Sequence, residues 1–132
     1  MSANYHHLAG LDWEDPSNAP PELRELAEKA MGTTARRAPI PCDSIDLYSQ
    51  ISELPAGYEI PPHSHSAHEL MVVLAGSCKV IDGPELVAGD LTEIPAGSEY
   101  GFVAGDEGIR FLVVRPEAST ISVTEDTVTE GN

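Results

Sequence analysis

His63 and His65 stand two apart in the stretch PPHSHSAHEL, residues 61–70, and Glu69 follows four residues after the second histidine. On a β-strand, residues two apart project from the same face, so the two imidazoles converge on one point. The residues between His65 and Glu69 allow a bend, after which Glu69 returns to that point from the next strand. Two imidazoles and one carboxylate on one face can hold a divalent metal and leave coordination positions open. A substrate, water or dioxygen needs such positions, so the pattern points to metal-assisted chemistry on a small molecule.

Other residues fall into place around this cluster. Met71 and Val73 share the face of Glu69 and are expected to form an apolar wall of the pocket. Leu70, Val72 and Leu74 point the other way. A strand apolar on both faces calls for a covering layer, either a second sheet or a partner subunit. His68 is adjacent to Glu69 and faces away, as a rim or surface residue; a local bulge is the one device that would bring it in. Without Glu69 and the nearby glycines, a histidine pair two apart would be ordinary surface sequence.

The elements that must position these residues are short. From Ile45 onward, runs rich in Val, Ile, Leu and Thr alternate with Gly, Pro, Asp and Ser. Strands are expected near 45–53, 57–60, 69–75, 77–82, 85–88, 91–94, 99–103 and 109–115. Turn signals fall at Pro55-Ala56-Gly57, Asp82-Gly83-Pro84, Ala88-Gly89-Asp90 and Pro95-Ala96-Gly97. Many short strands at this spacing mean an all-β sandwich or barrel. The glycines at 57, 76, 89 and 97 suit turns that need positive φ.

Three regions are expected: an arm and helix over 1–44, a barrel over 45–117, and an acidic strand and tail over 118–132. Residues 21–31, PELRELAEKAM, are the one helix candidate, with Pro21 at the first position, an apolar face of Leu23, Leu26, Ala27 and Ala30, and Gly32 as a stop. The segment 33–43, with Pro39 and Pro41, reads as an extended linker. Trp13 reads as a packing anchor for the arm, and His6 and His7 as surface histidines. A strand is expected at Thr120–Val123.

Length and charge bound the rest. The 132 residues suit one domain, with 41% hydrophobic content enough for one core. A net charge of −15 repels nucleic-acid phosphates and anionic membranes. Neither is therefore expected as a partner, and the charge reads as a solubility feature. Cys42 and Cys78 are too few for a disulfide framework and read as reduced thiols. No apolar run reaches the length of a membrane span and no export signal is visible, which together imply a cytoplasmic protein.

The chemistry-bearing residues also resemble a known family. Residues 57–76 read Gly57, five residues, His63, one, His65, three, Glu69, six, Gly76. This resembles the first signature motif of the cupin superfamily at every fixed position. Residues 89–97 read Gly89, five residues, Pro95, one, Gly97, and look like the start of the second cupin motif. The resemblance implies a double-stranded β-helix, or jelly-roll barrel, with one divalent metal. Iron is favoured; manganese, nickel, zinc and copper are alternatives.

The second motif departs from the family where it usually supplies a third histidine; here that position is Tyr100. Tyr100 is read three ways: a phenolate ligand, an acid or base toward substrate, or a pocket filler. Phe102 shares its face and is expected to line the pocket. Cys78 reads as a small core residue. Arg110 and Arg115 flank an apolar run; one reaching an anionic substrate is the sharper reading, surface placement the plainer one.

The resemblance implies a metal-dependent enzyme with a small-molecule substrate, foremost a non-haem Fe(II) dioxygenase-like oxidoreductase. A metal-dependent isomerase, lyase or cyclase, and a non-catalytic ligand-binding sensor module, are the alternatives. A storage barrel fits a short single-barrel chain poorly. The resemblance also implies homodimers.

Overall fold

The computed structural model describes residues 3–14, 35–42, 45–116, 120–123 and 126–129. Among them the chain is all-β, as expected, and the helical element is a 3-10 turn at Leu8–Gly10. The helix expected over 21–31 lies outside the described residues. The strands are β1 Arg36–Pro39, β2 Tyr48–Leu54, β3 Glu59–His65, β4 Glu69–Val80, β5 Glu85–Val87, β6 Leu91–Ile94, β7 Tyr100–Arg115, β8 Thr120–Val123 and β9 Asp126–Thr129.

Two long strands, β4 and β7, run through both layers of the barrel. Residues 109–115 of β7 pair with β2 on one side and with 70–76 of β4 on the other. Residues 100–104 of β7 pair instead with β3 and with 78–80 of β4. One layer is therefore β1-β2-β7-β4-β6, and the other is β9-β8-β3-β7-β4-β5. Every pairing is antiparallel, and the wrap is the jelly roll that the motifs imply.

Each long strand replaces two expected short ones. Gly76 explains why the sequence reads as broken there and why the strand nevertheless continues. Its φ is 74°, and a Cβ at this position would lie 2.1 Å from the carbonyl oxygen of Gly108. The two backbones touch where β4 and β7 bend together and their register slips, a close approach only glycine permits.

The core lies between the layers. Met71, Val73, Cys78, Ile94, Phe102, Ala104, Ile109, Phe111 and Val113 are buried in one cluster. Phe102 and Phe111 meet edge to face with centroids 5.6 Å apart, the arrangement that aromatic quadrupoles favour. Burying one such ring contributes ~2–3 kcal/mol. Cys78 belongs to this core as expected, and burial, with the Glu85 charge adding to it, pushes its thiol up.

Two expectations about the periphery need correction. The segment read as a linker contains β1, whose Arg36–Pro39 pairs with β2 at the sheet edge. Prolines are tolerated there because an edge strand needs fewer donors. The covering layer expected over Leu70 and Leu74 is not supplied by a second sheet: these side chains are 40% and 43% exposed. Trp13 does anchor the arm: its ring carries the Arg36 guanidinium at 3.9 Å, and its Nε1 donates to the Leu8 carbonyl. Among the described residues, no helix is long and apolar enough to cross a membrane.

Candidate functional site

Pro61 and Pro62 set the facing of the histidines. Proline has no N–H to give a ladder, and the β3–β7 register shifts between Ile60 and His63. Ile60 lies opposite Phe102 before this bulge, and His63 lies opposite Tyr100 after it. Without the extra residue, strict alternation from Ile60 would turn Pro62 inward. With it, Pro62 is exposed while His63 and His65 are 4% and 5% exposed. Gly101 makes room for the bulge, since a Cβ there would lie 2.7 Å from the Ile60 carbonyl oxygen.

Glu69 opens β4 after a three-residue connection, Ser66 to His68, and is buried. Met71 and Val73 follow it on the same inward face and belong to the core cluster, as Phe102 does on β7. The connection is tied to the turn at 95–97. Gly97 N–H donates to the His65 carbonyl at 3.0 Å, and Ala96 N–H donates to His68 Nδ1 at 2.9 Å. His68 is therefore an exposed buckle between the motif segments, on the rim as expected.

The imidazoles, the carboxylate and the Tyr100 phenol come together. Ring centroids of His63 and His65 are 4.9 Å apart, and that of Tyr100 is 4.5 Å from His63. The Tyr100 hydroxyl donates to Glu69 Oε2 at 2.5 Å and lies 3.4 Å from His65 Nε2. His65 Nε2 is 3.6 Å from Glu69 Oε1. His63 Nδ1 donates to the Pro61 carbonyl at 2.8 Å, because a carbonyl can only accept; Nε2 then carries the lone pair. Burial pushes His65 down to about 4, outweighing the upward pull of Glu69, so its imidazole is neutral at physiological pH. Among the described residues, no three His, Cys, Asp or Glu side chains are arranged to hold an ion as they stand.

A further residue stands in the cluster, one of the two arginines for which surface placement was the plainer expectation and contact with an anionic substrate the sharper one. Arg115, the last residue of β7, is 2% exposed. Its Nε and Nη2 donate to Glu69 Oε1 at 2.9 and 2.8 Å. The Tyr48 ring, opposite it on β2, lies 5.3 Å from the guanidinium carbon. Tyr48 in turn donates to Gln50 Oε1, and Gln50 Nε2 donates to Ser52 Oγ at 3.4 Å. All three are buried, so a polar strip of β2 lies beside the site. Two-residue alternation puts Arg115 on the face of Phe111 and Val113, without saying which face is inward. Arg110 does lie outward, shared with Arg36 in an ion triad on Glu53.

Comparison with known proteins agrees with this architecture. The cupin domain family profile matches residues 50–115. A dimethylsulfoniopropionate lyase, DddW of Ruegeria pomeroyi, is 42% identical over 69 residues, which make up 50% of this chain and 45% of that protein. The chain thus spans less than half the length of this curated relative. Among solved structures, the polyketide cyclase RemF from Streptomyces resistomycificus superposes with a TM-score of 0.70 at 21% identity, over 99% of this chain and 87% of that one. At that identity the likeness is one of fold. Bacillus subtilis oxalate decarboxylase superposes with a TM-score of 0.54 at 25% identity, over 61% of this chain and 25% of that one.

Proposed function

The chain belongs to the cupin domain family, and on that premise we propose that it is a metal-dependent enzyme that acts on a small organic molecule by lyase-type proton transfer. The observation that carries this reading is the Tyr100 hydroxyl, held 2.5 Å from Glu69 Oε2 and 3.4 Å from His65 Nε2. A phenol between a carboxylate and a neutral imidazole is equipped to give up and regain a proton at Oη. The likeness to a lyase over half the chain supports the same class.

The residues present fit a divalent ion by donor chemistry. His63 and His65 are buried imidazoles, and the hydrogen bond from His63 Nδ1 to Pro61 orients that ring and leaves the lone pair on Nε2. Metal-binding histidines are commonly oriented in this way. Glu69 would supply the carboxylate, and its oxygens now accept from Arg115 and Tyr100. When bound, the ion would supply Lewis-acid polarisation of a substrate oxygen. His63, His65 and Glu69 would hold it, and Tyr100 would hold and move the proton. Met71, Val73 and Phe102 would exclude water.

A second reading is the Fe(II) dioxygenase expected from the sequence. The pair of histidines with one carboxylate favours it, because that set leaves adjacent positions open. One experiment separates the two. The protein is loaded in parallel with Fe(II), Mn(II), Ni(II), Cu(II) and Zn(II), and metal content is measured by elemental analysis. Each form is then offered dimethylsulfoniopropionate, hydroxy acids, diketones, hydroxyketones and catechols, with substrate loss followed by proton NMR and oxygen uptake by electrode. Lyase chemistry gives anaerobic substrate loss, whereas substrate-dependent oxygen uptake by the iron form alone favours the dioxygenase. Ligand binding without turnover returns the sensor-module reading. In that setting we expect the protein to act as a homodimer on a small molecule in the cytoplasm.

A further inference from the structure

Among the described residues, two buried side chains carry a full charge, Glu69 and Arg115. They cancel, and the metal-free site is neutral. The remaining buried polar side chains, Ser49, Gln50, Ser52, His63 and His65, bring hydrogen-bonding capacity and no negative charge. A divalent ion on two neutral imidazoles and Glu69 leaves the interior two charges positive. If Tyr100 gave up its proton, one positive charge would still remain. Uncompensated charge is costly where water is excluded, so the loaded site lacks an anion.

Arg115 is placed to receive one. It lies on the inward face at the end of β7, with its guanidinium carbon 5.3 Å from the centre of the Tyr48 ring and its Nε bonded to Glu69. Its guanidinium is thus oriented before any ligand arrives. On stability grounds alone, an apolar residue continuing Phe111 and Val113 would serve as well, because a buried ion pair rarely outperforms good packing. A planar guanidinium does what an apolar residue cannot: it binds a carboxylate through parallel N–H bonds.

We infer that Arg115 is the specificity-determining residue of this site, and that it selects small anionic substrates, carboxylates foremost, over neutral molecules of the same shape. This rests on the metal-site reading above and deepens it. The polar strip of Tyr48, Gln50 and Ser52 runs along β2 from the position opposite Arg115, and can take the uncharged polar part of such a molecule.

The test uses Co(II)-loaded full-length protein, because the visible spectrum of cobalt reports binding without turnover. Propionate and its neutral isostere propionamide are titrated against wild type, Arg115→Met and Arg115→Lys, with cobalt content and melting temperature measured for each. Wild type should bind propionate well above propionamide. That preference should fall about ten-fold in Arg115→Met and several-fold in Arg115→Lys, which keeps the charge but loses the fork. If Arg115→Met does not fold, the Lys variant decides. Equal propionate affinity in wild type and the Lys variant overturns the role of Arg115. Wild-type protein that holds cobalt but does not discriminate the two probes overturns the inference alone. Wild-type protein that takes up no cobalt overturns the metal-site reading, and the inference with it.

Discussion

Arg115 meets Glu69 through two nitrogens, Nε at 2.9 Å and Nη2 at 2.8 Å, both on Oε1, with the two side chains 2% and 0% exposed. The pair joins the C-terminal end of β7 to the start of β4 and fixes the carboxylate inside the barrel. Removing one partner leaves the other charge buried and uncompensated. Arg115→Met in the metal-free protein should therefore lose about 3–5 kcal/mol of stability. The double variant Glu69→Gln with Arg115→Met should recover much of that loss. Urea denaturation of the wild type and these two variants measures both effects. A single-variant loss under about 1 kcal/mol would mean that solvent reaches the pair.

His65 gives the metal-free protein a pH dependence with a definite sign. Burial, against the pull of Glu69, sets its folded value at about 4, below the ordinary value near 6.5. Between those values the unfolded chain takes up a proton and the folded chain does not. Stability is therefore full above about pH 7 and falls as the pH drops toward about 4, by roughly 2–3 kcal/mol from this residue. Denaturation midpoints at pH 7, 6, 5 and 4.5 should decline more steeply in wild type than in His65→Gln. Parallel profiles would mean that His65 takes up its proton alike in both states.

Tyr100 occupies the position where the family commonly has a histidine, and its hydroxyl is bonded to Glu69. As the proton-carrying group it should be dispensable for holding the ion. Tyr100→Phe should retain one metal per chain while turnover falls by about 10²–10⁴-fold. Elemental analysis of the purified variant, beside His63→Ala as the metal-losing control, checks this. Loss of metal in Tyr100→Phe would make Tyr100 a ligand instead.

How much of this was legible in the sequence differs from residue to residue. His63, His65 and Glu69 were found because a two-residue period and a spaced motif are local signals. Their inward facing depends on the bulge at Pro61 and Pro62; the sequence reading ended the strand at 60, whereas β3 continues to His65. Arg115 stood between a substrate-facing and a surface reading because the run before it is apolar on both faces. Phe111 and Val113 point inward, while Leu112 and Val114 are only half-buried on the other side, so alternation gave no clue to facing. The strand breaks expected at Gly76 and near Ala104 dissolved for a non-local reason: Gly76 meets Gly108 across the sheet, a contact between residues distant in sequence.

The outer face of that same sheet carries the last prediction. Leu70, Leu74 and Leu91 are 40%, 43% and 61% exposed on the single chain. Leu112 pairs with both Ile51 and Val72, and Val72 pairs with Leu91, so an apolar row crosses β2, β7, β4 and β6. Apolar side chains in such a row favour a second surface that covers them. A homodimer packed through this sheet should run at about twice the 14.1 kDa chain mass by light scattering coupled to gel filtration. Leu74→Glu places a charge beside the row without touching the inward face, and should yield a monomer with unchanged metal content. A wild-type mass of one chain would remove the dimer, while an unchanged dimer in Leu74→Glu would move its interface to another face.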